Sequence, residues 1–98
     1  MTLPYVIRPV AKTKFLNSIA WYEQWSSGLG KRFAAAVGRR LDDIAEDPER
    51  WPFEEQDVRA AKVPRWKFVI YYRMVTDIIV VIAIFHTSRD PQEWMDRV

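Results

Sequence analysis

Hydrophobic residues change their spacing twice along this chain, and those changes divide it into elements. Between Val10 and Trp25 they keep helical spacing: Phe15, Ile19 and Tyr22 form one stripe, flanked by Leu16, Ala20 and Glu23. Ser26-Ser27-Gly28 interrupts the pattern, and Gly28 can take the left-handed conformation that ends helices. A second helix is predicted over Leu29–Glu46. Phe33, Val37, Leu41 and Ile44 recur on one face, while Lys31, Arg32, Arg39, Arg40 and Asp43 lie on the other. Asp47-Pro48 stops it. So short a break makes the two helices an antiparallel hairpin.

From Trp66 onward the period becomes two. Trp66, Phe68, Ile70 and Tyr72 point one way, and Lys67, Val69, Tyr71 and Arg73 the other. Beyond Thr76-Asp77, the run Ile78–Phe85 is apolar throughout and rich in β-branched residues. That is the composition of a strand covered on both faces, inside a sheet. The two runs read as a β-hairpin with a loop of about four residues. Leu3–Arg8, set between Pro4 and Pro9, is a short strand candidate. Arg59–Val63 is a weaker one, because Ala60 and Ala61 are poor strand formers and Pro64 follows. Pro48–Gln56 reads as a loop, with Trp51-Pro52-Phe53 folded onto the core. Asp90-Pro91-Gln92-Glu93 has the make-up of a helix start. Asp90 can accept from free backbone N–H groups, Pro91 suits the first helical position, and Glu93 sits where a capping box places it. Trp94 and Met95 then fall on the inner side of a short turn.

The order strand, helix, helix, strand, strand, strand predicts an α+β fold, a two-layer sandwich in a single domain over residues 1–98. Its N-terminal helical hairpin packs on a mainly antiparallel sheet, and a short helical turn closes the chain. Because Ile78–Phe85 is apolar on both sides, the second face of the sheet also needs a cover. The turn bearing Trp94 can supply part of it, and a partner chain is the other candidate.

Composition narrows the chemistry. With no cysteine there is no disulfide framework, thiolate metal site or cysteine nucleophile, which fits a reducing cytoplasm. The longest apolar run is far shorter than the roughly 18 residues a membrane span needs. Pro4, Arg8 and Pro9 interrupt any signal-peptide core. One histidine and acids clustered at a helix end give no basis for a metal, and no cofactor is expected. The net charge of +2 is unevenly placed. Acids crowd Asp42–Asp57, whereas Arg59, Lys62, Arg65, Lys67 and Arg73 form a stretch without any. A basic hairpin suits an acidic partner or nucleic acid, and a merely solvated face explains the same charges.

Several residue groups, in this order, resemble the ParE/RelE family of bacterial type II toxins. They are Trp21-Tyr22-Glu23, Gly28-Leu29-Gly30 before Phe33, Pro48 closing the second helix, and Arg59 ahead of Phe68-Val69-Ile70-Tyr71-Tyr72-Arg73. Ala83-Ile84-Phe85-His86 then leads to Arg89-Asp90-Pro91 and Trp94. Lys67 departs from the pattern, since many members place proline there. The resemblance implies one of two activities. ParE-like members act on DNA gyrase and stall replication, whereas RelE-like members cut mRNA on the ribosome. Both imply a cognate antitoxin, here of the ParD kind, with no membrane partner and DNA met only through antitoxin or gyrase.

A metal-free ribonuclease needs a base, an acid and cations for the phosphorane charge. His86, Arg89, Arg59 and Arg73 are the candidates for that alternative, with His86 as acid or base. RelE-like members also carry an aromatic hydroxyl near the C-terminus. Here Thr87 follows His86, and the nearest C-terminal aromatic is Trp94, so only Tyr71 or Tyr72 remains for that role. This absence favours the gyrase-binding reading, with no catalytic residue. For it, Arg89, Trp94 and Arg97 are the expected target contacts. Phe15, Tyr22, Val69 and Tyr71 are the expected antitoxin contacts.

Overall fold

A computed structural model describes residues 2–96. In chain order the elements are β1 (Tyr5–Ile7), α1 (Pro9–Trp25), α2 (Leu29–Glu46), β2 (Phe53–Glu55), β3 (Val58–Val63), β4 (Phe68–Val75), β5 (Ile78–His86) and α3 (Gln92–Met95). The strands form one sheet in the order β1-β5-β4-β3-β2, with β1 parallel to β5 and every other pairing antiparallel. The all-apolar run is therefore interior, as its composition requires, and the predicted α+β sandwich is the fold observed.

The hairpin β4–β5 is tighter than its polar residues suggest. Val75 pairs directly with Ile78, leaving only Thr76 and Asp77 in the turn. Thr76 takes the positive φ of 56° that primed two-residue turns use. The four-residue connection lies instead at Pro64–Lys67, where Arg65 has φ 71°. One irregularity shapes β5. Tyr71 pairs with Ala83 but Tyr72 pairs with Val81, so Ile82 is an extra residue in a β-bulge. The bulge shifts the inside–outside alternation by one. Ile79, Val81 and Ile84 face the helices, while Ile82, Ala83 and Phe85 enter a second core on the other side.

The helix-side core is built on α2. Phe33, Val37, Leu41 and Ile44 are all buried, and Phe33 lies against Phe15, Tyr22, Trp66 and Phe68. On α1 only Ala11 is buried, and Phe15, Ile19 and Tyr22 are half-buried. The link between the helices depends on Glu23. Its carboxylate accepts the Gly28 N–H at 2.8 Å and the Gly30 N–H at 2.9 Å, satisfying donors that a helix start leaves free. Gly28 has φ 85° and serves as the N-cap of α2, while Ser26 ends α1. A Cβ on Gly30 would lie 2.5 Å from the Ile19 carbonyl oxygen, so the helices cross where only glycine fits.

Two local readings are corrected. The loop 48–56 contains a strand, β2, on the sheet edge. Trp51 does pack on the core, but Phe53 is exposed, with the Arg59 guanidinium 3.9 Å from its ring centre. The second sheet face is roofed by the chain's own α3. Trp94 is fully buried against Val58, Ile82, Ala83 and Phe85, and it stacks on Tyr71 at 4.0 Å. Asp90 accepts the Gln92 N–H at 3.0 Å, the role foreseen for it, whereas Glu93 turns away to pair with cations.

Gly30→Ala is expected to lower stability by about 1–3 kcal/mol, from overpacking against backbone that cannot yield. Trp94→Ala is expected to cost about 3–5 kcal/mol by emptying the second core. Urea denaturation of each variant checks both.

Candidate functional site

The outer side of α1 is unusual for a helix that has a buried side as well. Val10, Leu16, Trp21 and Trp25 are all exposed, Trp25 at 71%. Apolar residues on both sides of a helix are the mark of one buried all round, so this surface invites a cover. Trp21 and Trp25 sit one turn apart with rings edge-to-face at 5.7 Å. Trp21 also borders a cleft of about 690 Å³ between α1 and the end of β5. Lys14, Asn17, Ser18, Trp21 and Tyr22 form its α1 wall. Phe68, His86, Ser88 and Arg89 form the other.

Helical spacing explains the α1 wall: positions 14, 17, 18 and 21 fall on one face. The opposite wall comes from the pairing of Phe68 with His86 and from the turn that follows β5. His86 Nδ1 accepts the Ser88 backbone N–H at 3.1 Å, with the Ser88 hydroxyl 2.7 Å away. A backbone N–H only donates, so Nδ1 is the acceptor and a neutral ring carries its proton on Nε2. The ring stands edge-on to Phe68 at 5.1 Å. Glu93 Oε2 bridges two cations at the cleft rim, Arg89 at 3.3 Å and Lys14 at 3.8 Å. All three side chains are exposed, and such pairs contribute at most about 1 kcal/mol each.

The other candidate cations have internal partners. Arg59 donates to the carbonyls of Glu49 (3.1 Å) and Trp51 (2.5 Å). Arg73 pairs with Asp57 at 2.7 Å and holds that carboxyl below its usual range. Arg59 lies opposite Tyr72, and Arg73 lies opposite Val80. Both are four or five residues along the sheet from the Phe68–His86 pair, or roughly 13–16 Å at about 3.3 Å per residue. His86 and Arg89 are thus brought together, while Arg59 and Arg73 are not. Tyr71 and Tyr72 offer the cleft no free hydroxyl, and the tyrosine that lines it is Tyr22. Tyr72 is buried and donates to the Pro48 carbonyl at 2.6 Å, and burial pushes its pKa far up. Tyr71 lies beneath Trp94, and burial raises its pKa too. Among the described residues, no three His, Asp or Glu side chains converge as a metal site requires.

Of the expected target contacts, Arg89 is exposed, Trp94 is buried, and Arg97 lies outside the described residues. Of the expected antitoxin contacts, Phe15 and Tyr22 turn inward to Phe33, Val69 is buried, and Tyr71 is under Trp94. The open apolar surface of α1 lies instead on Val10, Trp21 and Trp25 along one flank, with Leu16 exposed singly on the other. Lys14, Asn17 and Ser18 also line the cleft, and the sequence alone does not mark them. Their signal was a polar run at helical spacing leading into Trp21, which resembles any solvated face.

This arrangement can bind, through an aromatic wall, a cationic rim and an apolar helix surface. It gathers His86, Lys14 and Arg89 in one cleft and leaves Arg59 and Arg73 elsewhere. The family model of the ParE toxin of the type II toxin–antitoxin system parDE matches residues 5–91, and the chain belongs to that family. It is a toxin of the type II toxin–antitoxin class, whose family implies an antitoxin of the ParD kind. A solved structure described as a chromosomal ParDE system from P. aeruginosa shares the fold, with TM-score 0.69 and 17% identity. That match covers 87% of this chain and 96% of the other. No curated protein matches the sequence significantly. No described helix is long and apolar enough to cross a membrane.

Glu23 and Asp57 set the acid response of the fold. The Gly28 N–H, above other causes, lowers the pKa of Glu23, and the Arg73 hydrogen bond lowers that of Asp57. A carboxyl depressed in the folded state stabilises above its ordinary pKa and loses that contribution as pH falls through the folded value. Stability is therefore expected to drop below about pH 4.5. Glu23→Gln is expected to reduce stability at neutral pH and flatten the acid limb, as chemical denaturation across pH would show.

Proposed function

We propose that this toxin binds DNA gyrase in the cytoplasm and blocks its turnover, so that replication stalls, and that a ParD-kind antitoxin silences it by covering α1. The observation that carries the non-catalytic reading is the dispersal of the nuclease candidates. His86 and Arg89 share a cleft, but Arg59 and Arg73 are bound to internal partners elsewhere. A metal-free nuclease needs those groups within hydrogen-bond reach of one phosphate.

Arg89, exposed at the cleft rim, is the cation assigned to meet gyrase. Trp94 acts from beneath by anchoring the tail. Arg97 is assigned the same contact as Arg89 on its charge and position in the sequence. For the antitoxin, an amphipathic helix or an added strand is the mode that this surface favours. Val10, Trp21 and Trp25 offer the apolar anchors, and β1 is an edge strand with Tyr5 and Val6 exposed.

Supercoiling by purified gyrase is expected to fall when the toxin is added. Arg89→Ala should raise the half-inhibiting concentration about tenfold or more, while stability changes by no more than about 0.5 kcal/mol. Unimpaired supercoiling together with codon-specific mRNA cuts that vanish in His86→Ala would replace gyrase with the ribosome. The toxin alone is expected to bind a hydrophobic dye, and Trp21→Asp with Trp25→Asp should remove both dye and antitoxin binding. Antitoxin binding that survives the double change would place its surface off α1.

A further inference from the structure

One hydroxyl in the cleft faces a base that is already in its accepting form. The Ser88 hydroxyl lies 2.7 Å from His86 Nδ1, within the reach that a nucleophile needs of its general base. The Ser88 backbone N–H, donated to the same nitrogen at 3.1 Å, keeps Nδ1 free of a proton in the neutral ring. Packing steadies that ring, which is half-buried and edge-on to Phe68 at 5.1 Å. Ser18, the other serine of the cleft, donates to the Lys14 carbonyl at 3.1 Å and has no such base. Beside the pair, Trp21, Tyr22 and Phe68 form an aromatic wall, and Lys14 and Arg89 stand at the rim. The volume of about 690 Å³ lies in the range of small-ligand sites. A wall of rings suits a hydrocarbon chain, and cations suit the oxyanion that forms when a hydroxyl adds to a carbonyl.

We propose that Ser88 is an acyl acceptor, with His86 as its general base and an activated acyl ester or thioester as the substrate. The Ser88 Oγ forms a bond to the acyl carbon while its proton passes to His86 Nδ1. The carbonyl π pair moves onto oxygen, where the charge faces Lys14 and Arg89. When that pair returns, the bond to the leaving oxygen or sulfur breaks, and His86 Nδ1 gives its proton to the leaving group. The products are an O-acyl ester on Ser88 and a free alcohol or thiol, and nothing is oxidised or reduced. The acyl chain lies against Trp21 and Phe68. The nucleophile is the protein's own hydroxyl, and the chain has no cysteine to compete with it.

The purified full chain is mixed with p-nitrophenyl butyrate. Nitrophenolate release gives the rate, and mass spectrometry of the digested protein locates the adduct. A burst of nitrophenolate is expected, with the butyryl group on Ser88 and removed by hydroxylamine, as an ester is and a lysine amide is not. Ser88→Ala should abolish the burst, and Thr87→Ala should leave it. His86→Gln should slow acylation about a hundredfold, the smaller end of what a general base supplies. Lys14→Gln and Arg89→Gln should each slow it about tenfold. Trp21→Leu should reduce the preference for butyrate over acetate esters. Urea midpoints confirm that each variant is folded. Absence of a burst overturns the proposal, as does a burst that survives Ser88→Ala or an adduct found only on lysine. Acylation of His86→Gln at the unaltered rate overturns it too. The proposal goes beyond the gyrase reading and does not rest on it: acylation of Ser88 by a chain that leaves supercoiling intact would uphold this inference and remove that one.

Discussion

A strand with no polar side must be covered on both faces and paired on both edges, and β5 imposes those demands on the whole chain. Its pairing is met by β1 and β4, its first face by the helical hairpin, and its second by α3. The bulge at Ile82 lets both faces be apolar without an interruption in the strand, because it moves Ala83 and Phe85 to the side that Trp94 roofs. Once β5 is covered in this way, its polar continuation, His86 to Arg89, has to emerge at the sheet end beside α1. The cleft is a consequence of that geometry.

The distribution of positive charge follows from packing as well. The run of bases from Arg59 to Arg73 resembles a binding surface, but the fold uses two of them, Arg59 and Arg73, internally, together with Arg40 and Arg50 from outside the run. Arg59 and Arg40 donate to backbone carbonyls of neighbouring segments, Arg73 pairs with Asp57, and Arg40 and Arg50 lie beside the Trp51 ring. These contacts hold a long, otherwise irregular connection against the sheet. Arg89 and Lys14 differ, because their partner among the described residues is a single exposed carboxylate, Glu93, at the cleft rim.

The helix α1 carries the clearest sign that the chain is meant to meet another molecule. Its inward side is only half-buried, while one flank exposes Val10 and two tryptophans. Exposed aromatics of that size gain little from water and much from a partner.

Most of the fold was legible in the order of residues, and for a local reason. Period-2 and period-3.6 patterns, Asp47-Pro48 and the Gly28 break are properties of neighbours in the chain, so they marked α1, α2, β4, β5 and the interior position of β5. The fine register was not legible. Nothing local distinguishes a two-residue turn at Thr76-Asp77 from a longer one, or announces a bulge at Ile82, because pairing across strands decides both. The site divided in the same way. His86 and Arg89 stood out as the polar end of an apolar strand, but Lys14, Asn17 and Ser18 became partners of that end only when α1 crossed it, some 70 residues away in sequence. The inward turn of Phe15 and Tyr22 and the burial of Trp94 were likewise settled by what packed against them. Local chemistry chose the elements, and the contacts between distant elements decided which side chains were left to act.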